Sequence, residues 1–399
     1  MPAVCMSNPA VPPVPSRAGK SLWSDAWSKL RRNRLAMFCL TVLMLVGLGA
    51  FFTPLIPLQP SDNTLTDRDF EPPRLTNAPD DKLTLTLDEI RAANDEAAVL
   101  EQTLSTLDSS EKKERAKLKA TIHDIRNRPY VDAGFTPHMG GIAKFLTRMR
   151  LRIFGDYSLP SLAGRDNLGR DVLSRIFWGA RVSIIVSIVA TMVSLLIGVS
   201  YGAVSGYMGG FIDAAMMRMV DVLYSVPFIF VVVFLLTLLG EEKSKKQLGE
   251  MGIDQITIFY LVVGAIYWLT MARVVRGQVL SLKKELYVEA ARAQGAGEAR
   301  IILRHIVPNV MSVVIVYLTL TIPRVMLFEA FLSFLGLGVE SPDVSWGMMA
   351  SDGLEVINPI KTYWWLVVFP SLAIGATLFA LNFFGDSLRD ALDPKLRDA

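Results

Sequence analysis

The chain has 399 residues, 51% of them hydrophobic, a mean hydropathy of +0.37, and 41 Lys and Arg against 38 Asp and Glu, for a net charge of +3. An apolar share this high, gathered in blocks, excludes an ordinary soluble domain, and the near balance of charge excludes a bulk basic binder of nucleic acid. Cys5 and Cys39 do not make a disulfide framework, and His123, His138 and His305 are too widely separated for metal-ligand spacing.

Residues 1–34 form a polar tail. Gly19-Lys20-Ser21 has the lettering of a phosphate loop, but the first glycine of that pattern falls at Val14 and no strand precedes it, so ATP has no cradle in this chain. The first apolar run, 35–58, follows the tail, is too long for a signal-peptide core and has no small-residue cleavage site after it. It reads as a retained signal anchor.

Residues 59–165 read as one long external insertion. The stretch with Pro60, Pro72, Pro73 and Pro79 is irregular. Thr86 followed by Glu89 then forms a capping box, and Leu87, Ile90, Ala93, Ala97, Leu100, Leu104 and Leu107 make a stripe at spacings of three and four. Asp108 to Ser110 break it, and Leu118, Ile122 and Ile125 continue on a second helix. This predicts a helical hairpin over 86–127, with a solvated spacer of marginal helices as the alternative. The stripe calls for a dry partner surface outside the membrane.

Five further apolar segments follow, near 182–204, 211–239, 256–273, 309–335 and 363–385, each long enough to cross a hydrocarbon layer of roughly 30 Å as a helix. The expectation is an all-α polytopic membrane protein with six spans: a five-helix core over 166–385 and a tail at 386–399. Gly198-Val199-Ser200-Tyr201-Gly202 has the lettering of a nucleophile elbow, but it lies within an apolar span and no His is placed to serve it; its small residues suit close helix packing instead. Pro227 and Pro370 are expected to kink their helices.

Charge bias sets the orientation. Arg17, Lys20, Lys29, Arg31, Arg32 and Arg34 precede the first span against the single acid Asp25, and the 274–308 loop with its flanks is rich in Lys and Arg. Before the last span stand Glu340, Asp343, Asp352 and Glu355 against Lys361. The positive-inside rule puts both termini and the 274–308 loop in the cytoplasm.

That loop carries the most informative pattern. Glu289-Ala290-Ala291 is followed by Gly295, Gly297, His305 and Pro308, which reads as a helix over 281–294, a turn at the glycines, and a second helix ending near Pro308. Gly295 suits a C′ position of positive φ, and the two alanines leave a low surface that another protein can approach closely. Such a plug can move as a rigid body and transmit force into spans four and five.

The Glu-Ala-Ala sequence, the glycine six residues after the glutamate and the proline thirteen after that glycine resemble the EAA loop of binding-protein-dependent ABC importer permeases. Gly164 to Arg175, Trp178 to Ser183, Phe328 to Gly338 with Pro342 and Ser345 to Gly347, and Asp390 to Arg397 are similar to blocks of the dipeptide and oligopeptide permeases, C-type subunit. Together they cover 165–399. The resemblance implies the ABC permease fold and a subunit that is not itself an enzyme. The implied partners are a second homologous permease, two ATPase subunits or domains that bind ATP and Mg, and an external solute-binding protein, all in a bacterial inner membrane. It implies that Glu289, Ala290, Ala291, Gly295, Gly297, His305 and Pro308 couple to the ATPases. Di- or oligopeptides are the implied cargo, with nickel or another small solute as the alternative; a structural or signalling subunit is the rival class. The resemblance offers no equivalent of this length for the long insertion in most members.

Ionisable residues inside the spans are costly and normally face a protein interior or an aqueous path. Asp213, Arg218 and Asp221 lie along span three, with Arg218 and Asp221 spaced to pair. Arg324 and Glu329 lie in span five, as lining of a translocation pathway or as structural partners of neighbouring helices. Gly169-Arg170-Asp171 is either a turn with an Asp N-cap or a direct participant in transport.

Overall fold

A computed structural model describes residues 22–78, 81–107, 112–136, 139–241, 244, 255–339, 341–357 and 361–392. The first residues of the tail with Cys5, Arg17 and Lys20, the break at 108–110, Glu340 and 393–397 lie outside them. The described chain is helical throughout its regular structure: α1 (Leu22–Arg32), α2 (Arg34–Phe52), α3 (Leu87–Thr106), α4 (Lys112–Asp132), α5 (Gly141–Phe154), α6 (Val172–Met208), α7 (Gly210–Ser225), α8 (Phe228–Gly240), α9 (Gln255–Leu282), α10 (Leu286–Ala293), α11 (Glu298–Phe334), α12 (Trp346–Glu355) and α13 (Trp364–Leu392).

Among the described residues, α2, α6, α11 and α13 are long and apolar enough to cross a membrane, and the bent pair α7–α8 makes a fifth span if counted as one. The expected span at 211–239 is bent at Pro227, where a kink was expected. Its two halves meet at 81°, because Pro227 brings no N–H and forces Val226 into an extended conformation. The expected fourth span lies within α9. This helix runs parallel to α6, as the successive contacts Gly264 with Val193, Gly198 with Met271 and Gly206 with Val279 show. Two parallel neighbours require the chain to return between them, and α7–α8 lies on that return.

The α6–α9 seam is set by glycines one helical turn apart. A Cβ at Gly198 would stand 2.6 Å from Met271 Cβ, and one at Gly202 would stand 2.4 Å from the Ala272 carbonyl oxygen. Without a strong solvophobic drive between helices in lipid, close backbone approach is what holds such a pair. Ser200 takes no part: its hydroxyl returns to the Leu196 carbonyl.

The first span is shorter than expected. Asn33 caps α2, its side chain accepting from the amides of Leu35 and Ala36, but the helix ends at Phe52, where Pro54 follows Thr53 and cannot continue it. The Thr86–Glu89 capping box opens α3. Its stripe, however, does not need an outside partner. Ala97, Ile122 and Ile125 are buried with Ala93, Leu100, Leu104 and Leu118 between α3 and α4, so the hairpin consumes its own apolar face. The segment 59–165 also contains α5, which the sequence periodicity did not suggest.

The block Gly164–Arg175 forms a buried ionic knot at the start of α6. Arg165, fully buried, donates to Gln59 Oε1 and Asp81 Oδ1 at 2.7 Å each and sits 3.2 Å from Glu71. Asp166 receives Arg170 at 2.8 Å and Arg175 at 2.6 Å, and Arg175 reaches Asp352 at 3.0 Å. Asp171 caps α6 through the Ser174 amide and accepts from Ser161. Burial pushes the Asp171 carboxyl up to about 6, against the opposing pull of those two hydrogen bonds. Gly169, at φ +71, lies where a Cβ would overlap the Leu65 carbonyl. The block is a turn, an N-cap and a clamp that fastens residues 59–81 and α12 to α6.

Candidate functional site

At the C-terminal ends of α6 and α9 the chain folds into a compact wedge. Helix α9 ends at Leu282, and a turn at Lys283, Lys284 and Glu285 leads into α10. The first arm is therefore the eight residues Leu286–Ala293, not 281–294. The Gly295 amide donates to the Arg292 carbonyl and the Ala296 amide to the Ala291 carbonyl, a Schellman closure with Gly295 at φ +77. Gly297 caps the next helix at an ordinary negative φ with open space around it, so no backbone strain demands glycine there.

The second arm does not end near Pro308. Residues 298–334 are one helix, with a π turn at Ile302–Ile306 just ahead of Pro308. The wider turn accommodates the ring and the missing N–H that would otherwise break the ladder. His305 lies in the π turn, and its carbonyl accepts from Asn309 Nδ2 at 2.6 Å. Pro308 is exposed on the first turn after it.

One face of the wedge is buried. Val288, Ala291, Ile301, Ile302 and Ile306 pack against Ala203 and Tyr207 of α6 and Val275 and Val279 of α9. The other face is open: Glu289 and Ala290 are exposed, with Leu286 80% and Leu303 69% exposed beside them. The two alanines therefore divide, Ala291 anchoring the wedge and Ala290 lying on its outer face. The leucines were missed in the sequence because they carry no motif.

Ionic contacts lock the wedge to the α6–α7 corner. Arg276 donates from Nε and Nη2 to Asp213 at 2.5 and 2.6 Å, and Ser205 donates to the same carboxylate at 2.5 Å. Lys283 Nζ donates to the Gly206 carbonyl at 2.8 Å, satisfying an end group of α6. Arg292 lies 5.8 Å from the centre of the Tyr207 ring. Asp221 pairs with Arg273 at 2.7 Å rather than with Arg218, because the neighbouring helix brings the guanidinium closer than the i, i+3 position does.

The two span-five residues separate. Glu329 is fully buried and accepts from Ser183 and Ser333 at 3.1 and 2.8 Å, joining α6 to α11, while Ser345 of α12 donates to Ser333. Arg324 is exposed, its carbonyl accepting from the Tyr267 hydroxyl at 3.3 Å.

The profile of the binding-protein-dependent transport system inner membrane components matches residues 198–398, and that of the N-terminal TM domain of oligopeptide transport permease C matches 21–73. The oligopeptide transport system permease protein OppC of Salmonella typhimurium is 49% identical over 60% of this chain and 76% of its own length. The dipeptide transport system permease protein DppC of Bacillus subtilis is 42% identical over 59% of this chain and 68% of its own length. An inward-facing structure of the MetNI methionine ABC transporter is 20% identical at a TM-score of 0.42, covering 55% of this chain and 97% of that one, too loose a superposition to rest anything on.

Proposed function

The chain belongs to the family of inner membrane components of binding-protein-dependent transport systems, and from that membership we propose that it is the C-type permease subunit of an ATP-driven importer of di- or oligopeptides. The observation that carries the mechanism is the two-faced wedge. Its buried face is welded to α6, α9 and α11, and its open face carries Leu286, Ala290 and Leu303. An ATPase subunit seated on the open face moves the wedge, and the wedge moves three spans at once. The ATP and Mg belong to that partner. A second permease completes the pathway, and an external binding protein delivers the cargo.

In this reading both termini and the wedge are cytoplasmic, and Arg324 is the side chain in α11 placed to meet a peptide carboxylate, while Glu329 is a joint between helices. Glu289 supplies a charge on the docking face. Two measurements test the proposal. Deleting 285–300 should abolish co-purification of ATPase subunits, and retained assembly would overturn the coupling role. A strain lacking this subunit should lose uptake of labelled peptide and keep uptake of nickel; the opposite pattern would replace the cargo.

A further inference from the structure

A groove of about 420 Å³ opens where the C-terminal end of α2, the N-terminus of α5 and the first turns of α6 meet, within the roughly 300–1,000 Å³ of ordinary ligand clefts. Its walls are apolar and partly exposed, with Gly47 and Phe51 on α2, Ile142 on α5 and Ile184 and Ile185 on α6. One charge lines it. Arg181 lies 4.9 Å over the Trp178 ring, and no carboxylate pairs with it among the described residues. An arginine on an apolar span without a carboxylate is costly unless an anion answers it.

The flanking helix shows what kind of anion to expect. Helix α5 carries Lys144, Arg148, Arg150 and Arg152 and no acid. Ile142, Phe145 and Ile153 are exposed along one side of it, with Arg148 and Arg152 beside them. An apolar stripe edged by cations is the pattern of a helix lying in the headgroup layer. Burial, and then repulsion from Arg126 and Arg148, lowers the Lys144 ammonium from the usual lysine range, consistent with cations that lack counter-charges. Gly140 caps α5 without a side-chain hydrogen bond, and Gly140 and Gly141 line the groove, so the end of that helix meets it.

The geometry points to a phospholipid site: one glycerophospholipid sits in this groove, its phosphate on Arg181 and the uncapped end of α5, and an acyl chain along Phe51, Ile184 and Ile185. A guanidinium matches phosphate oxygens in a fork, and the apolar walls continue onto the lipid-facing sides of α2 and α6. Occupancy ties α5 and α2 to α6 on the outer leaflet of the proposed orientation. The site itself depends only on the chain spanning a membrane, not on what it transports.

The test uses the full chain in nanodiscs of phosphatidylethanolamine and phosphatidylglycerol, extracted into detergent and weighed by native mass spectrometry. The wild-type chain should retain a phospholipid that survives delipidation. Arg181→Ala should reduce that retention about fivefold or more, and Arg181→Lys should restore part of it. Gly47→Phe fills the groove from a position with nothing within 4 Å of an added Cβ; it should expel the lipid in a chain whose helical content is unchanged. Arg389→Ala, at an exposed position of α13 and outside the groove, should leave retention as it was. Equal retention in Arg181→Ala and Gly47→Phe, detergent alone in the groove, or protection of the groove only when a partner helix is bound would each overturn the site. An arm with inorganic phosphate and no lipid should show no binding.

Discussion

Arg276 of α9 grips Asp213 of α7 through two hydrogen bonds of 2.5 and 2.6 Å, across 63 positions of sequence. The pair sits where α6 turns into α7, and Ser205 shares the carboxylate. It therefore joins three helices, α6, α7 and α9, at the base of the wedge.

Removing one partner leaves the other half-buried charge unanswered. Asp213→Asn and Arg276→Ala should each lower the thermal midpoint of the detergent-solubilised chain, by about 1–3 kcal/mol in stability. The double variant should cost less than the sum, which a double-mutant cycle measures. Strictly additive costs would mean that the contact contributes nothing.

The glycines of α6 and of the wedge separate cleanly. Gly202→Val drives a side chain into the Ala272 carbonyl and should reduce folded yield severely, as overpacking of a close helix seam costs about 1–3 kcal/mol or more. Gly295→Ala should cost about 1 kcal/mol for its positive φ. Gly297→Ala should be neutral or slightly stabilising. Thermal unfolding followed by circular dichroism ranks the three.

Asp171 should write a pH dependence into stability. Its folded pKa, about 6, is raised above the ordinary aspartate value of 3.8, so its protonated form is favoured by folding. The contribution is present in full below the ordinary value and is lost as pH rises through about 6, at up to ~1.4 kcal/mol per pH unit for one proton. Asp171→Asn keeps an N-cap without the charge and should flatten that slope; Asp171→Ala should flatten it too, but lose about 1 kcal/mol of capping. An unchanged slope in Asp171→Asn would assign the dependence to another group.

Glu329 and Arg324 should part company in function. Glu329→Ala takes away the acceptor of the Ser183 and Ser333 hydroxyl protons and should lower stability by about 1–3 kcal/mol, with uptake falling only as folded protein falls. Glu329→Gln should be mild. Arg324→Ala, at an exposed position, should leave stability within about 0.5 kcal/mol and reduce peptide uptake per folded molecule.

Features governed by neighbouring residues were readable in the sequence. The capping box at Thr86, the C′ role of Gly295, the Asp171 cap and the small residues at Gly198 and Gly202 depend on local rules, and the structure has each of them. What escaped depends on distant partners. Pro227 announced a kink within 211–239, but hydropathy sums over a window and carries no direction, so the 81° size of that bend was not legible. The stripe of α3 announced an apolar face without saying that α4 would cover it. Spacing suggested Arg218 for Asp221, but packing supplied Arg273. In the candidate site the motif residues stood out, while Leu286 and Leu303, the most exposed large apolar side chains of the wedge, follow no pattern.

The two arms of the wedge are joined to the membrane differently. Behind the first stands the turn at 283–285; behind the second, helix continues unbroken for 37 residues, a rod of about 55 Å at 1.5 Å per residue. That makes the assembly a crank. Were the proposed ATPase to push on the wedge, the turn would serve as the crank's bearing and α11 as its shaft, and a tilt of a few degrees at Leu303 would become a sweep of several ångströms at the far end. Glu329 and Ser333 hold α6 and α12 to that end, so under the proposed coupling a stroke delivered on one side of the membrane would arrive magnified on the other.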